Sequence, residues 1–133
     1  MLLAIDTATR YLSIALHDGQ SLLAEHSFYS DQQHTVQLSP MISRLLAEGG
    51  FQPAELSVLA LAQGPGSFSG LRVGFGVAKG LATALRIPLV GVPTLDILAL
   101  ATPRAKATLW AVAQAGRGRL YGAAIVGPRM PGG

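Results

Sequence analysis

Val58-Leu59-Ala60-Leu61-Ala62-Gln63-Gly64-Pro65-Gly66-Ser67-Phe68-Ser69-Gly70-Leu71-Arg72-Val73-Gly74-Phe75-Gly76-Val77-Ala78-Lys79-Gly80-Leu81-Ala82-Thr83-Ala84-Leu85-Arg86 is the stretch on which the reading turns. An apolar run meets a glycine loop, and the loop opens a helical segment from Ser69 to Arg86. Strand, glycine loop and helix in that order suggest phosphate binding, because a helix N-terminus offers unpaired N–H groups to anions. The residues fit the known fingerprints poorly. Ser69 stands where the dinucleotide motif needs its third glycine, and no Gly-Lys pair exists for a P-loop. Pro65 removes a donor from the would-be cradle. A structural turn is the favoured reading of the loop.

The helix carries glycines that each cost about 1 kcal/mol relative to alanine. Gly70, Gly74, Ala78 and Ala82 form one row at i, i+4 spacing, and Gly76, Gly80 and Ala84 form another. Residues four apart share a helix face. Such rows make a flat strip that another backbone can approach closely. The strip can pack on the chain's own sheet, on a second helix or on another subunit, and a helix has sides enough for more than one of these.

Composition narrows the class. The 133 residues suit one domain with a core, or one lobe of something larger. Half the residues are hydrophobic, yet no apolar run reaches the roughly 18 residues of a membrane span. The start, Met1-Leu2-Leu3-Ala4-Ile5-Asp6, has neither basic n-region nor cleavage site, so no signal peptide is expected and a cytoplasmic location is the default. The absence of cysteine excludes disulfides and thiolate chemistry. Through Leu56 the formal charge is −4, and from Ser57 onward it is +7. The basic residues of the second half are dispersed, so a solvated basic face is favoured over a nucleic-acid surface.

The rest of the chain assembles around that element. Leu2 to Ile5 is a short strand ending in the turn residues Asp6-Thr7-Ala8-Thr9. Tyr11 to His17 alternates apolar and polar as a half-buried strand does, Asp18-Gly19 is a strong hairpin signal, and Gln20 to Tyr29 returns. Asp31 to Gly49 has helical spacing. There Ser39 caps a helix with Pro40 at its first position, or a longer helix from about Gln33 is kinked at Pro40. Ile87 to Val92 reads as a strand buried on both faces. A helix from Pro93-Thr94 to about Ala101 follows, with Thr94 as its cap. Thr108 to Ala113 and Leu120 to Val126 read as two further strands, and the tail 127–133 as frayed. These elements make an α/β unit: a mixed five-stranded sheet with helices on its faces, then two strands of an unfinished second sheet.

The order β-β-β-α-β-α-β-α, with Asp6 at the end of the first strand, resembles one lobe of the actin-like, Hsp70 and sugar-kinase (ribonuclease H-like) superfamily. The run Gln63 to Gly74 is more specific and looks like the signature of the TsaB (YeaZ) family. Met1 to Thr7, His34 with Leu38 and Pro40, and the Tyr121 strand also sit where that family has its motifs. The resemblance implies residues 1–103 as a first lobe and 104–126 as the opening strands of a second. It further implies a non-catalytic dimerisation and scaffold subunit for the tRNA threonylcarbamoyladenosine modification at position 37. Such a subunit pairs with TsaD or with another copy of itself, with a TsaE ATPase joining and tRNA contacted only indirectly. The implied interface gathers His34, Leu38, Met41, Ser67, Phe68, Gly70, Arg72, Val73, Gly74, Gly76, Val77 and Gly80.

The residues exclude one older reading of that branch, the metallopeptidase. The catalytic sister of the family holds metal through His-x-x-x-His, and here His34 is followed at i+4 by Leu38. One imidazole cannot supply the three protein ligands a catalytic metal takes. Asp6 and Thr7 occupy the superfamily's first phosphate turn, so they are the candidate groups for ATP and Mg²⁺. Plain turn chemistry is favoured there, and no cofactor is expected to be required. A nucleotide-dependent phosphotransferase using Asp6, Thr7 and the Gly64–Gly70 loop is the alternative function. His17 and His26 read as strand residues without a partner. Gln114 replaces the family's usual Asp, and Arg117 and Arg119 read as a solvated hairpin tip.

Overall fold

A computed structural model describes residues 1–30, 34–100, 109–115 and 119–125, with side chains for 1–30 and 36–100. β1 (Leu2–Asp6), β2 (Tyr11–His17) and β3 (Leu22–Tyr29) form an antiparallel meander. α1 (His34–Gly49) and a 3-10 turn at Pro53–Glu55 lead to β4 (Val58–Ala62), then α2 (Phe68–Leu85), β5 (Leu89–Val92) and α3 (Thr94–Leu100). β4 lies parallel to β1, and β5 parallel to β4, so the five-stranded sheet runs β3-β2-β1-β4-β5. β6 (Leu109–Ala115) and β7 (Arg119–Ile125) pair separately as a two-stranded antiparallel sheet.

Register explains the core. Leu3 lies between Leu16 and Leu59, and Ile5 between Ile14 and Leu61. Side chains alternate across a strand, so these two rows project to one face. There they meet Leu38, Ile42, Leu45 and Leu46 of α1 and Ala78 and Ala82 of α2. The intervening row, Ala15-Ala4-Ala60, faces the other way. With Asp6, Ser13, Glu25 and Ile97 of α3 it borders an open groove of about 570 Å³. α1 and α2 therefore cover one face of the sheet, while α3 reaches the other.

The structure resolves one open alternative and changes two local expectations. α1 is the longer of the two alternatives, running through Pro40 instead of starting there. β5 is an edge strand with Val90 and Gly91 exposed, not a strand buried on both faces, because the sheet ends at it. Thr94 stands inside α3 as its first residue, and its hydroxyl accepts the Gly64 N–H at 3.1 Å across thirty residues of chain instead of capping its own helix. The tail 127–133, expected to fray, lies outside the described residues.

Candidate functional site

The loop between β4 and α2 is fastened at three points. Gln63 N–H donates to Val92 O at 2.9 Å, Gly64 O accepts from Thr94 N–H at 2.9 Å, and Ser67 N–H donates to Ala8 O at 2.7 Å. Gly64 has φ +105°, a conformation that favours glycine, and it precedes Pro65 through a cis peptide bond. Gly66 lies so close to the β1 turn that a Cβ there would run into Ala8 O. Ser67 caps α2 by accepting the Gly70 N–H at 3.3 Å. The donors that an anion cradle would use at Gly64, Ser67 and Gly70 thus all have partners within the protein.

The first turn is spent in the same way. Thr7 is fully buried, and its hydroxyl donates to Gly70 O at 2.7 Å. Asp6 Oδ1 accepts the Ala8 N–H at 3.0 Å. Asp6 and Thr7 hold the strand end and the helix start together, with the Asp6 carboxylate still bordering the open groove.

α2 divides its glycines between two sides. Gly70, Gly74, Ala78 and Ala82 are buried against the protein's own sheet, where a Cβ at Gly74 would collide with Thr7 Oγ1. Gly76 and Gly80 have nothing within 4 Å of where a Cβ would stand. Beside them lie Phe68 and Phe75, 75% and 53% exposed. Arg72 sits over the Phe68 ring at 5.5 Å and Lys79 over the Phe75 ring at 5.8 Å.

The residues expected at an interface therefore separate. Leu38, Gly70 and Gly74 lie in the interior and present no surface in this fold, because the core row of the sheet needs them. Val73 and Val77 pack half-buried against that core, as does Met41. Ser67 is exposed as the α2 cap, and Phe68, Arg72, Gly76 and Gly80 are exposed on the outer face. His34 begins α1, and its side chain lies outside the described residues. Phe75 and Lys79 join the outer face although the sequence reading passed over them. The signal was present: Phe68 and Arg72 recur seven residues later as Phe75 and Lys79. On α1, Val36 is 70% exposed and borders a groove of about 430 Å³ with His26, Phe28, Pro40, Met41 and Arg44.

The two strand histidines do have partners. His17 Nδ1 accepts the Gly19 N–H at 2.9 Å, and His26 Nε2 lies 3.6 Å from Glu48, which also meets Arg44 at 3.4 Å. Among the described residues no three of His, Cys, Asp or Glu gather in a metal-binding group. Gln114 is on β6 and Arg119 and Tyr121 on β7, their side chains undescribed, and Arg117 lies outside the described residues. No described helix is long and apolar enough to cross a membrane.

Comparison with known proteins adds independent information. Residues 24–127 match the family model described as TsaD, tRNA N6-adenosine threonylcarbamoyltransferase. The chain is 40% identical over 98 residues to the tRNA threonylcarbamoyladenosine biosynthesis protein TsaB of Escherichia coli, covering 74% of this chain and 42% of that one. It is 36% identical over 120 residues to TsaB of Bacillus subtilis, covering 90% and 52%. A solved structure, YeaZ from Pseudomonas aeruginosa, superimposes with TM-score 0.72 at 34% identity, covering 96% of this chain and 67% of that one. The chain spans about half the length of the curated relatives it matches.

Proposed function

The chain belongs to the TsaB (YeaZ) family, and on that premise we propose that it is a non-catalytic scaffold subunit of the tRNA N6-threonylcarbamoyladenosine machinery. In this reading the outer face of α1 and α2 pairs with a TsaD homologue, or with a second copy of the chain when alone. A TsaE homologue joins the assembly in the cytoplasm, tRNA is contacted only indirectly, and the chain needs no ATP or Mg²⁺ of its own. The observation that carries the proposal is the outer side of α2, where Phe68, Phe75, Gly76 and Gly80 are exposed together. Large exposed apolar groups beside a glycine surface suit a helix–helix contact. The occupied N–H groups of Gly64, Ser67 and Gly70 and the buried Thr7 hydroxyl support it over the phosphotransferase alternative.

Co-purification tests it. Tagged chain is expected to bring down the cognate TsaD homologue, and Gly76→Leu to abolish that capture while the chain itself stays folded. A tagged chain that captures no TsaD homologue overturns the proposal. Heat on titrating Mg·ATP into the isolated chain would favour the phosphotransferase instead.

A further inference from the structure

We infer that the outer edge of β3 pairs antiparallel with β3 of a second copy of this chain, joining two five-stranded sheets edge to edge. This edge lies apart from the exposed side of α2, so the inference stands or falls separately from the scaffold reading.

The observation is an unprotected edge. β3 ends the sheet order, so among the described residues no strand lies along its outer side. Ser30 N–H donates to Arg10 O on the β2 side. Alternation along the antiparallel ladder then turns the N–H and C=O groups of His26 and Phe28 toward β2, and those of Glu25, Ser27 and Tyr29 outward. Edge strands that avoid pairing are short or carry Lys or Pro. β3 has eight residues and neither of these types. Leu22, Leu23 and Tyr29 are exposed on it. α1 leaves a groove of about 430 Å³ beside His26 and Phe28, so the helix does not cover the edge.

The strand is complementary to itself. A two-fold axis normal to the sheet keeps every side chain on its own face, so only residues of like parity oppose one another. Two such registers pair nearly the whole strand: 22–28 with Glu25 against Glu25, or 23–29 with His26 against His26. The first sets two carboxylates directly opposite each other, which is destabilising. The second puts Glu25 opposite Ser27 and Ala24 opposite Phe28, a small side chain against a large one. It also brings exposed Leu23 to exposed Tyr29 at each end.

In that register Glu25 and Ser27 exchange both backbone hydrogen bonds with their counterparts. Each His26 brings its own Glu48, 3.6 Å away, to the axis. The irregularity between Leu16 and His17 falls at the Leu22 end and leaves 24–29 in regular pairing with β2. An unrelated extended segment has no reason to meet this match of size and charge, whereas a second copy meets it by symmetry.

The test is sedimentation equilibrium of the full chain carrying Gly76→Leu, which blocks the exposed side of α2, from micromolar to millimolar concentration. This protein is expected to dimerise as concentration rises. Adding Ser27→Pro removes an outward N–H and is expected to leave a folded monomer. If Ser27→Pro fails to fold, charge variants at the same position decide. Ser27→Lys sets a cation opposite Glu25 at both symmetric positions and is expected to tighten association about fivefold. Ser27→Glu sets an acid there and is expected to loosen it about fivefold. A monomer at every concentration overturns the inference, as does a dimer that neither charge variant shifts. A dimer that survives in folded Ser27→Pro lies elsewhere on the surface and overturns it too. If the chain stays monomeric while Ser27→Pro alone weakens capture of the TsaD homologue, the edge serves that partner and the inference is overturned.

Discussion

At the residue scale, two glycines of one helix have opposite duties. Gly74 abuts Thr7, whose buried hydroxyl is committed to Gly70 O, so a methyl group there must displace a packed side chain. Overpacking of this kind costs about 1–3 kcal/mol, against about 1 kcal/mol regained in helix propensity. Gly74→Ala is therefore expected to lower the urea midpoint, and Gly74→Val to lower it further. Gly76 meets nothing within 4 Å, so Gly76→Ala gains the propensity and is expected to stabilise the isolated chain by about 1 kcal/mol. Equal effects of the two substitutions in the same urea titration would contradict this division. Asp18 offers a pH test. Backbone N–H groups of Ser21 and Gln20 bond its carboxylate and hold its pKa below the usual carboxylate value. Because the folded-state pKa is depressed, the stabilisation is present above the ordinary value near about pH 4 and is lost as pH falls through the folded-state value. Asp18→Asn is expected to remove that part of the acid dependence, seen as a flatter stability profile below about pH 4.

At the element scale, α2 is defined by its ends and by two unlike sides. Ser67 caps the start, and Arg86 takes a left-handed conformation (φ +56°) at the other end. Ser67→Ala is expected to cost about 1 kcal/mol, read as a lower thermal midpoint. Ala in place of a cap that merely decorated the loop would leave the midpoint unchanged. The two small-residue rows were legible from i, i+4 spacing alone. Spacing could not say which row faced inward, because both rows satisfy the same period. The sheet decided it: Thr7 and Leu61 stand under Gly74. The same limit explains β5. Its apolar run suited a strand covered on both faces, but only the strand order reveals that it closes the sheet at an edge.

At the scale of the whole molecule, the five-stranded sheet separates a packed face from an open one. Leu61 is in the core between sheet and helices, whereas its neighbour Ala60 borders the groove opposite. Leu61→Ala is expected to cost about 2–5 kcal/mol, and Ala60→Val to stay within about 0.5 kcal/mol, both by chemical denaturation. A large loss from Ala60→Val would mean that the groove side is packed as tightly as the core. The sequence by itself determined the element order, the antiparallel opening, the β4–loop–α2 unit and the residues that carry the family resemblance. Alternation, helical spacing and turn chemistry are local properties, and neighbouring residues are enough to express them. Tertiary structure decided which candidates reach solvent. Leu38, Gly70 and Gly74 went into the core, and Phe75 and Lys79 joined Phe68 and Arg72 on the surface. It also gave the Thr7 hydroxyl to Gly70 O and the Thr94 hydroxyl to Gly64 N–H. Those assignments depend on contacts between residues thirty or more positions apart, which the sequence pattern of any single element does not contain.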